Sequence, residues 1–122
     1  VTFITRDTST FTTSASSAAS VTTTKAFNGL LHAIHYTRDS TATAMSTTAT
    51  VSLAGETSGI NYFTHTLVST ADISFYPRQN IHSTAGSTIA GFELMPIVNE
   101  RLTFTIAAAG ASKGGTFRVD VI

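Results

Sequence analysis

An all-β fold, read as an antiparallel β-sandwich of jelly-roll type with an extended N-terminal arm, follows from three features of the sequence. Of the 122 residues, 38 are Ser or Thr, and the Thr alternates with apolar residues instead of collecting in loops. In the segment 45–53 the odd positions read Met, Thr, Ala, Val and Leu, and the even positions Ser, Thr, Thr and Ser. That period of two marks a strand with one dry face. Thr suits the wet face, because its branched Cβ packs on the pleat while its hydroxyl stays in water. Short β-prone runs also recur between turn residues at a regular spacing, the habit of a sandwich. Finally, no helical period competes: the charged stretch 94–102 carries Pro96 and runs into an alternating Leu-x-Phe-x-Ile pattern.

Taken from the N-terminus, 1–5 and 9–13 are short β-like pieces, followed by Ser14-Ala-Ser-Ser-Ala-Ala-Ser20. Seven small residues give a helix too little to offset nucleation, so the stretch reads as a flexible link. Residues 1–20 are therefore expected to form an arm, with a single β domain over 21–122. Its predicted strands are 21–27, 30–37, 45–53, 60–68, 71–76, 88–94, 102–108 and 116–121. They are separated by turn-forming stretches such as Asn28-Gly29, 54–59, 77–80 and 110–115. Leu102, Phe104 and Ile106 share one face, as do Phe117, Val119 and Val121, across a Gly-rich turn that permits positive φ. This pair is predicted to be a hairpin at the centre of the core.

A chain of 12.8 kDa buries roughly two-thirds of its unfolded surface, enough for one domain with one core. Seven basic and seven acidic residues cancel, and no Lys/Arg cluster could neutralise a row of phosphates, so nucleic acid is not an expected partner. No apolar run approaches the ~20 residues of a membrane-spanning helix, and a soluble chain is expected. There is no Cys, which removes disulfides and thiolate metal sites and fits assembly in a reducing cytoplasm. None of the four Asn lies in an Asn-x-Ser/Thr sequon.

Chemistry-bearing patterns are sparse. His32 and His35, in one predicted strand, point to opposite faces and cannot chelate one ion, so no metal and no cofactor is expected. His35 and His65 read as half-buried sheet residues bonded to neighbours; a histidine gathered on an oligomer axis is the other reading for the four His, which include His82. Gly55-Glu-Thr-Ser-Gly59 lacks the spacing of a serine nucleophile elbow and reads as a turn. Gly110-Ala-Ser-Lys-Gly-Gly115 has phosphate-loop composition in the wrong order and reads as a hairpin tip. The carboxylates Asp7, Asp39, Glu56, Asp72, Glu93, Glu100 and Asp120 are scattered, and Glu100-Arg101 reads as a solvated strand end. With no Trp and three Tyr, the chain is poor in sugar-stacking rings. No catalytic residue is predicted, and the chain is expected not to be an enzyme.

Several stretches together resemble the capsid decoration (cement) proteins of tailed bacteriophages and related small virion β-proteins. They are Asn28-Gly-Leu-Leu-His-Ala-Ile-His-Tyr36, Tyr76-Pro-Arg-Gln79, and Asn99-Glu-Arg-Leu-Thr-Phe-Thr-Ile106 through Lys113-Gly-Gly-Thr-Phe-Arg-Val-Asp-Val121. The resemblance covers most of 27–121. It implies a non-enzymatic structural protein of the virion that binds the outside of the capsid and clamps neighbouring subunits of the major capsid protein. It also implies a trimer, an arm reaching along the shell, and assembly in the host bacterial cytoplasm. The residues expected to contact a partner are Val1, Phe3, Ile4 and Phe11 of the arm, apolar and too few for their own core, and Tyr76, Pro77 and Arg78, an anchor-like turn. Two alternatives stand beside this: a receptor- or glycan-binding module of a phage tail, fibre or adhesin, and a pilin-like strand-donating subunit. A carbohydrate-active enzyme is a fourth reading, needing two carboxylates across a groove.

Overall fold

The computed structural model describes residues 4–40, 44–66, 71–82, 85 and 87–122, with only the backbone described at Ile81, His82 and Ile89. Every regular element among them is a strand. In chain order they are β1 (Thr5–Thr12), β2 (Ala19–Thr22), β3 (Phe27–Arg38), β4 (Thr50–Gly55), β5 (Asn61–Thr66), β6 (Ile73–Phe75), β7 (Gln79–His82), β8 (Thr88–Glu93), β9 (Met95–Glu100), β10 (Leu102–Ala107) and β11 (Gly114–Val121). All pairings are antiparallel. One sheet runs β1-β11-β3-β6, with β9 also paired to β3; a second runs β2-β10-β4-β5; β7 and β8 form a two-stranded ribbon.

The strands 102–107 and 114–121 are not a hairpin. β10 pairs with β2 and β4, whereas β11 pairs with β1 and β3, so the chain changes sheets between them. Alternation fixes which side of a strand is apolar, and both strands have the expected dry face, but it does not say which neighbour supplies the hydrogen bonds. Here the dry faces meet: the Phe104 and Phe117 rings stack with centroids 4.4 Å apart. The crossing is made by 108–113, where Ala108, Gly110 and Ser112 all have positive φ. Around that ring pair lie Leu31, Ile34, Tyr36, Val51, Leu53, Leu102, Ile106 and Val119, each buried.

The N-terminal segment also departs from expectation. Thr5–Thr12 is an unbroken eight-residue ladder on β11, and Phe11 is buried, its ring stacked on Phe117 at 5.4 Å. A strand with an apolar residue on its inward face is more stable paired than extended into water. The Ser/Ala stretch is a turn, not a loose link. Ser17 N–H donates to Ser14 O, Ser14 N–H to Ala18 O and Ala109 N–H to Ser17 O, and Thr13 Oγ1 donates to Gly110 O at 2.6 Å. Lys25 covers the outer edge of β1, its Nζ donating to Arg6 O at 2.8 Å and its N–H to Asp7 Oδ2 at 3.0 Å.

Two further strands lie where none was expected. Gln79–His82 starts inside the turn expected at 77–80, and Met95–Glu100 falls between the expected strands 88–94 and 102–108. Pro is admissible in an edge strand, which β9 is among the described residues. The strand predicted over 45–53 begins at Thr50, while Met45 and Ala49 are buried in the preceding loop.

Candidate functional site

The Gly55–Gly59 turn joining β4 to β5 and the outer strand β9 enclose a cleft of about 290 Å³. Ile60, Pro96 and Val98 wall it, with Thr57, Ser58 and Asn99 at its polar side and Tyr62 and Glu100 completing the lining. Ile60 and Val98 are exposed, Val98 by 74%, while Tyr62 and Glu100 are buried.

Glu100 is not a solvated strand end. Its Oε1 accepts from the Thr57 N–H (3.2 Å), the Ser58 N–H (3.1 Å) and the Ser58 hydroxyl (3.1 Å), and its Oε2 from the Tyr62 hydroxyl at 3.4 Å. These donors, led by the Ser58 N–H and hydroxyl, hold its carboxyl below the ordinary glutamate range. Burial, with the Glu100 charge beside it, raises the Tyr62 phenol. The carboxylate is thus committed to tying the turn down. A Cβ on Gly55 would collide with Glu100 Oε1, which is why the turn begins with glycine. At the rim, Arg101 pairs with Glu56 at 2.6 Å. Chemically the cleft is an apolar recess over a tyrosine ring, with its one acid already satisfied.

A second polar group lies on the outward face of the β1-β11-β3-β6 sheet. Ser74 Oγ and His35 Nδ1 are 2.7 Å apart, and His35 Nε2 lies 3.3 Å from Asp120 Oδ2. The sequence of contacts is that of a nucleophile, base and carboxylate. However, the other oxygen of Asp120 takes Arg6 Nε at 2.8 Å and faces Arg118 Nε at 3.4 Å, which offsets the charge that would support an imidazolium. The side chains sit on opposed positions of paired strands, His35 facing Ser74 and Arg118, so the row works as a cross-strand tie.

The predicted contact residues separate. Val1 and Phe3 lie outside the described residues. Ile4 is 53% exposed just before β1, whereas Phe11 belongs to the core and is not available to a partner. Tyr76 is exposed, its ring edge-on to His35 at 6.3 Å; Pro77 is buried. Arg78 is exposed but turned back, Nη1 donating to Pro77 O at 2.7 Å and His32 O at 3.0 Å. His35 is half-buried and bonded to Ser74, while His65 is half-buried beside the Phe63 and Phe75 rings, which also touch each other. His32 is half-buried, its backbone O accepting from Arg78, and the His82 side chain lies outside the described residues. Among the described residues, no three His, Cys, Asp or Glu side chains are placed to hold a metal ion, and no helix is long and apolar enough to cross a membrane.

Sequence reasoning missed Ile60, Tyr62, Val98 and Glu100 as one site, and Phe92, 73% exposed on β8, as a surface feature. One signal was present for Val98: two apolar residues, Ile97 and Val98, stand in sequence, so in a strand one of them must face out. Compared with models of protein families and with curated proteins, the chain matches none.

Proposed function

We propose that this chain is a non-enzymatic structural protein of a phage virion, a jelly-roll β-sandwich that binds the outside of the capsid and clamps neighbouring capsid subunits. The observation that carries the reading is the strand order. With β7, β8 and β9 set aside as an insertion, and β10 and β11 counted as the seventh and eighth strands, the two sheets run 1-8-3-6 and 2-7-4-5. That is the order of an eight-stranded jelly roll with two Greek keys, an architecture that viral shells use widely. The Phe104–Phe117 stack between the two sheets supports the sandwich. Support for a binding role is the exposed apolar set Ile4, Ile60, Tyr76, Phe92 and Val98 on a body whose polar clusters are tied up internally. Fold alone does not fix function, and lectins share this architecture, so a glycan-binding module is the second reading; the cleft over Tyr62 is what favours it.

In this reading Thr5–Thr12 belongs to the body and is not part of an arm. The test is titration of purified protein onto expanded capsids of the phage that encodes it, followed by sedimentation of the shells. Saturable binding at a fixed number per shell, with greater resistance of the decorated shell to heat, is expected. Absence of shell binding, with retention on an immobilised oligosaccharide array, would replace this reading with the glycan-binding one.

A further inference from the structure

The two main sheets differ in charge. No Asp, Glu, Lys or Arg occurs in β2, β10, β4 or β5, whereas Arg6, Arg118 and Asp120 lie together on the outward face of the β1-β11-β3-β6 sheet. The strand registers set them side by side: Arg6 is opposite Asp120, Arg118 stands two residues before it in the same strand, and His35 is opposite Arg118. Tyr76 follows Ser74 at strand spacing and is exposed, its ring edge-on to His35 at 6.3 Å. Two guanidinium charges against one carboxylate leave one positive charge over. The cations are accessible, with 53% and 38% of the Arg6 and Arg118 side chains open to solvent, while Asp120 is buried. From this placement we propose that the face formed by Arg6, Arg118, His35 and Tyr76 binds a carboxylate, supplied by an Asp or Glu side chain on an acidic segment of a partner protein.

Arg118 gives the clearest sign of a missing partner. Its Nε is shielded from solvent yet has no hydrogen-bond partner among the described residues, since Asp120 Oδ1, 3.4 Å away, already takes Arg6 Nε at 2.8 Å. The guanidinium is a planar fork of N–H donors that matches a carboxylate in shape, so an acid from outside can use what Asp120 does not. The neighbouring Asp7 does not fill the place: it accepts from the Thr8 and Lys25 N–H groups instead. Charge selects among anions. A row of phosphates needs more cations than this face gathers. A single phosphate, carrying about two charges, is repelled by Asp120 more strongly than a singly charged carboxylate is. Tyr76 selects the carrier, because an exposed tyrosine beside arginines is the combination that anchors contacts between proteins.

A lone ion pair left open to water holds little and is screened by salt. Its strength comes from being covered: a partner surface that closes over Tyr76 and the two guanidiniums lowers the local dielectric around the new pair. A free acidic peptide therefore binds weakly, and an acidic segment on a protein surface binds more tightly. The inference rests on the reading of this chain as one that binds another protein, and it names the chemistry of the surface met. It does not depend on that surface being a shell.

Amide NMR of the isotope-labelled full chain, titrated with an acetylated oligoglutamate peptide, tests it, with an oligoglutamine peptide and inorganic phosphate as parallel probes. Saturable shifts centred on Arg6, His35, Tyr76 and Arg118 are expected with oligoglutamate, are absent with oligoglutamine, and weaken as salt rises. Arg118→Gln removes a guanidinium whose Nε makes no hydrogen bond in the fold, so it should lower the oligoglutamate affinity more than about fivefold and leave the melting temperature unchanged. Arg118→Lys keeps the charge but loses the fork, and its affinity should fall between the two. Shifts confined to other residues, an equal response to oligoglutamine, tighter binding of phosphate, or an affinity that Arg118→Gln leaves intact would each overturn the proposal. Shells bound by Arg118→Gln as tightly as by the native chain would remove this face and leave the function standing. Oligoglutamate bound at this face by a chain with no affinity for shells would keep the face and remove the shell.

Discussion

The strands β1–β6, β10 and β11 and the segment β7–β9 use the same residue alphabet to opposite ends. In β10 the apolar positions Leu102, Phe104 and Ile106 are all fully buried, and the intervening Thr103 and Thr105 face outward. In β8 and β9 the apolar residues divide: Met95 and Ile97 are buried, but Phe92 and Val98 are among the most exposed large apolar side chains of the described residues. The first region buries its apolar side chains; the second leaves several of them in water. The sharpest way to break this comparison is to truncate one phenylalanine from each. Phe104→Ala removes a ring stacked at 4.4 Å on Phe117 and should cost about 3–5 kcal/mol in denaturant unfolding. Phe92→Ala should cost under ~0.5 kcal/mol at concentrations where the chain is monomeric. Equal losses at the two sites would mean that Phe92, like Met95 and Ile97, packs in the core.

The difference also explains what could be read from sequence. Period-two alternation made the inward positions of β10 and β11 legible, because it depends only on a strand having one dry face. Their assignment to different sheets was not legible, since Leu102-x-Phe-x-Ile106 looks the same whichever neighbour it bonds. The N-terminal strand was misread for a related reason. Ser9 and Phe11 point inward in β1, but Ser9 is polar, so a half-apolar strand resembled an arm. Pro96 counts against a helix over 94–102, but the same proline is compatible with an edge strand, which β9 is among the described residues. Glu100 was opaque altogether. Between Asn99 and Arg101 it looks solvated, and only the tertiary fold brings the Thr57 and Ser58 N–H groups to its carboxylate.

Glu100 joins the two regions, as the last residue of β9 and the anchor of the β4–β5 turn, and its removal should act on both. Because its donors lower its folded value below that of the unfolded chain, its contribution is complete above the ordinary glutamate value of ~4.3 and is lost as pH falls through the lowered folded value. Melting curves from pH 3 to 7 should thus show the native chain losing stability in that acid window. Glu100→Gln should melt lower at pH 7 and depend less on pH across the same window. Parallel curves for the two proteins would show that the carboxylate carries no part of the acid sensitivity.

The smallest expected effect belongs to the outward faces of the main sheets, where hydroxyls replace charges. Thr22 and Thr103 are directly opposed on β2 and β10, their hydroxyl oxygens 3.0 Å apart, and Thr10 and Thr116 repeat the arrangement on β1 and β11 at 3.2 Å. A hydroxyl that can bond water as readily as its neighbour gains little from the exchange, and cross-strand pairs of this kind contribute roughly 0.2–1 kcal/mol. Thr103→Val keeps the branched Cβ that packs on the pleat and deletes only the hydroxyl, so its cost should stay under ~1 kcal/mol. In a double-mutant cycle with Thr22→Val, the coupling term should lie within the same range and vanish when either partner is already Val. A loss near that of Phe104→Ala would be incompatible with a wetted face: it would place Thr103 in a buried network, and the division between the dry and wet faces of β10 would have to be redrawn.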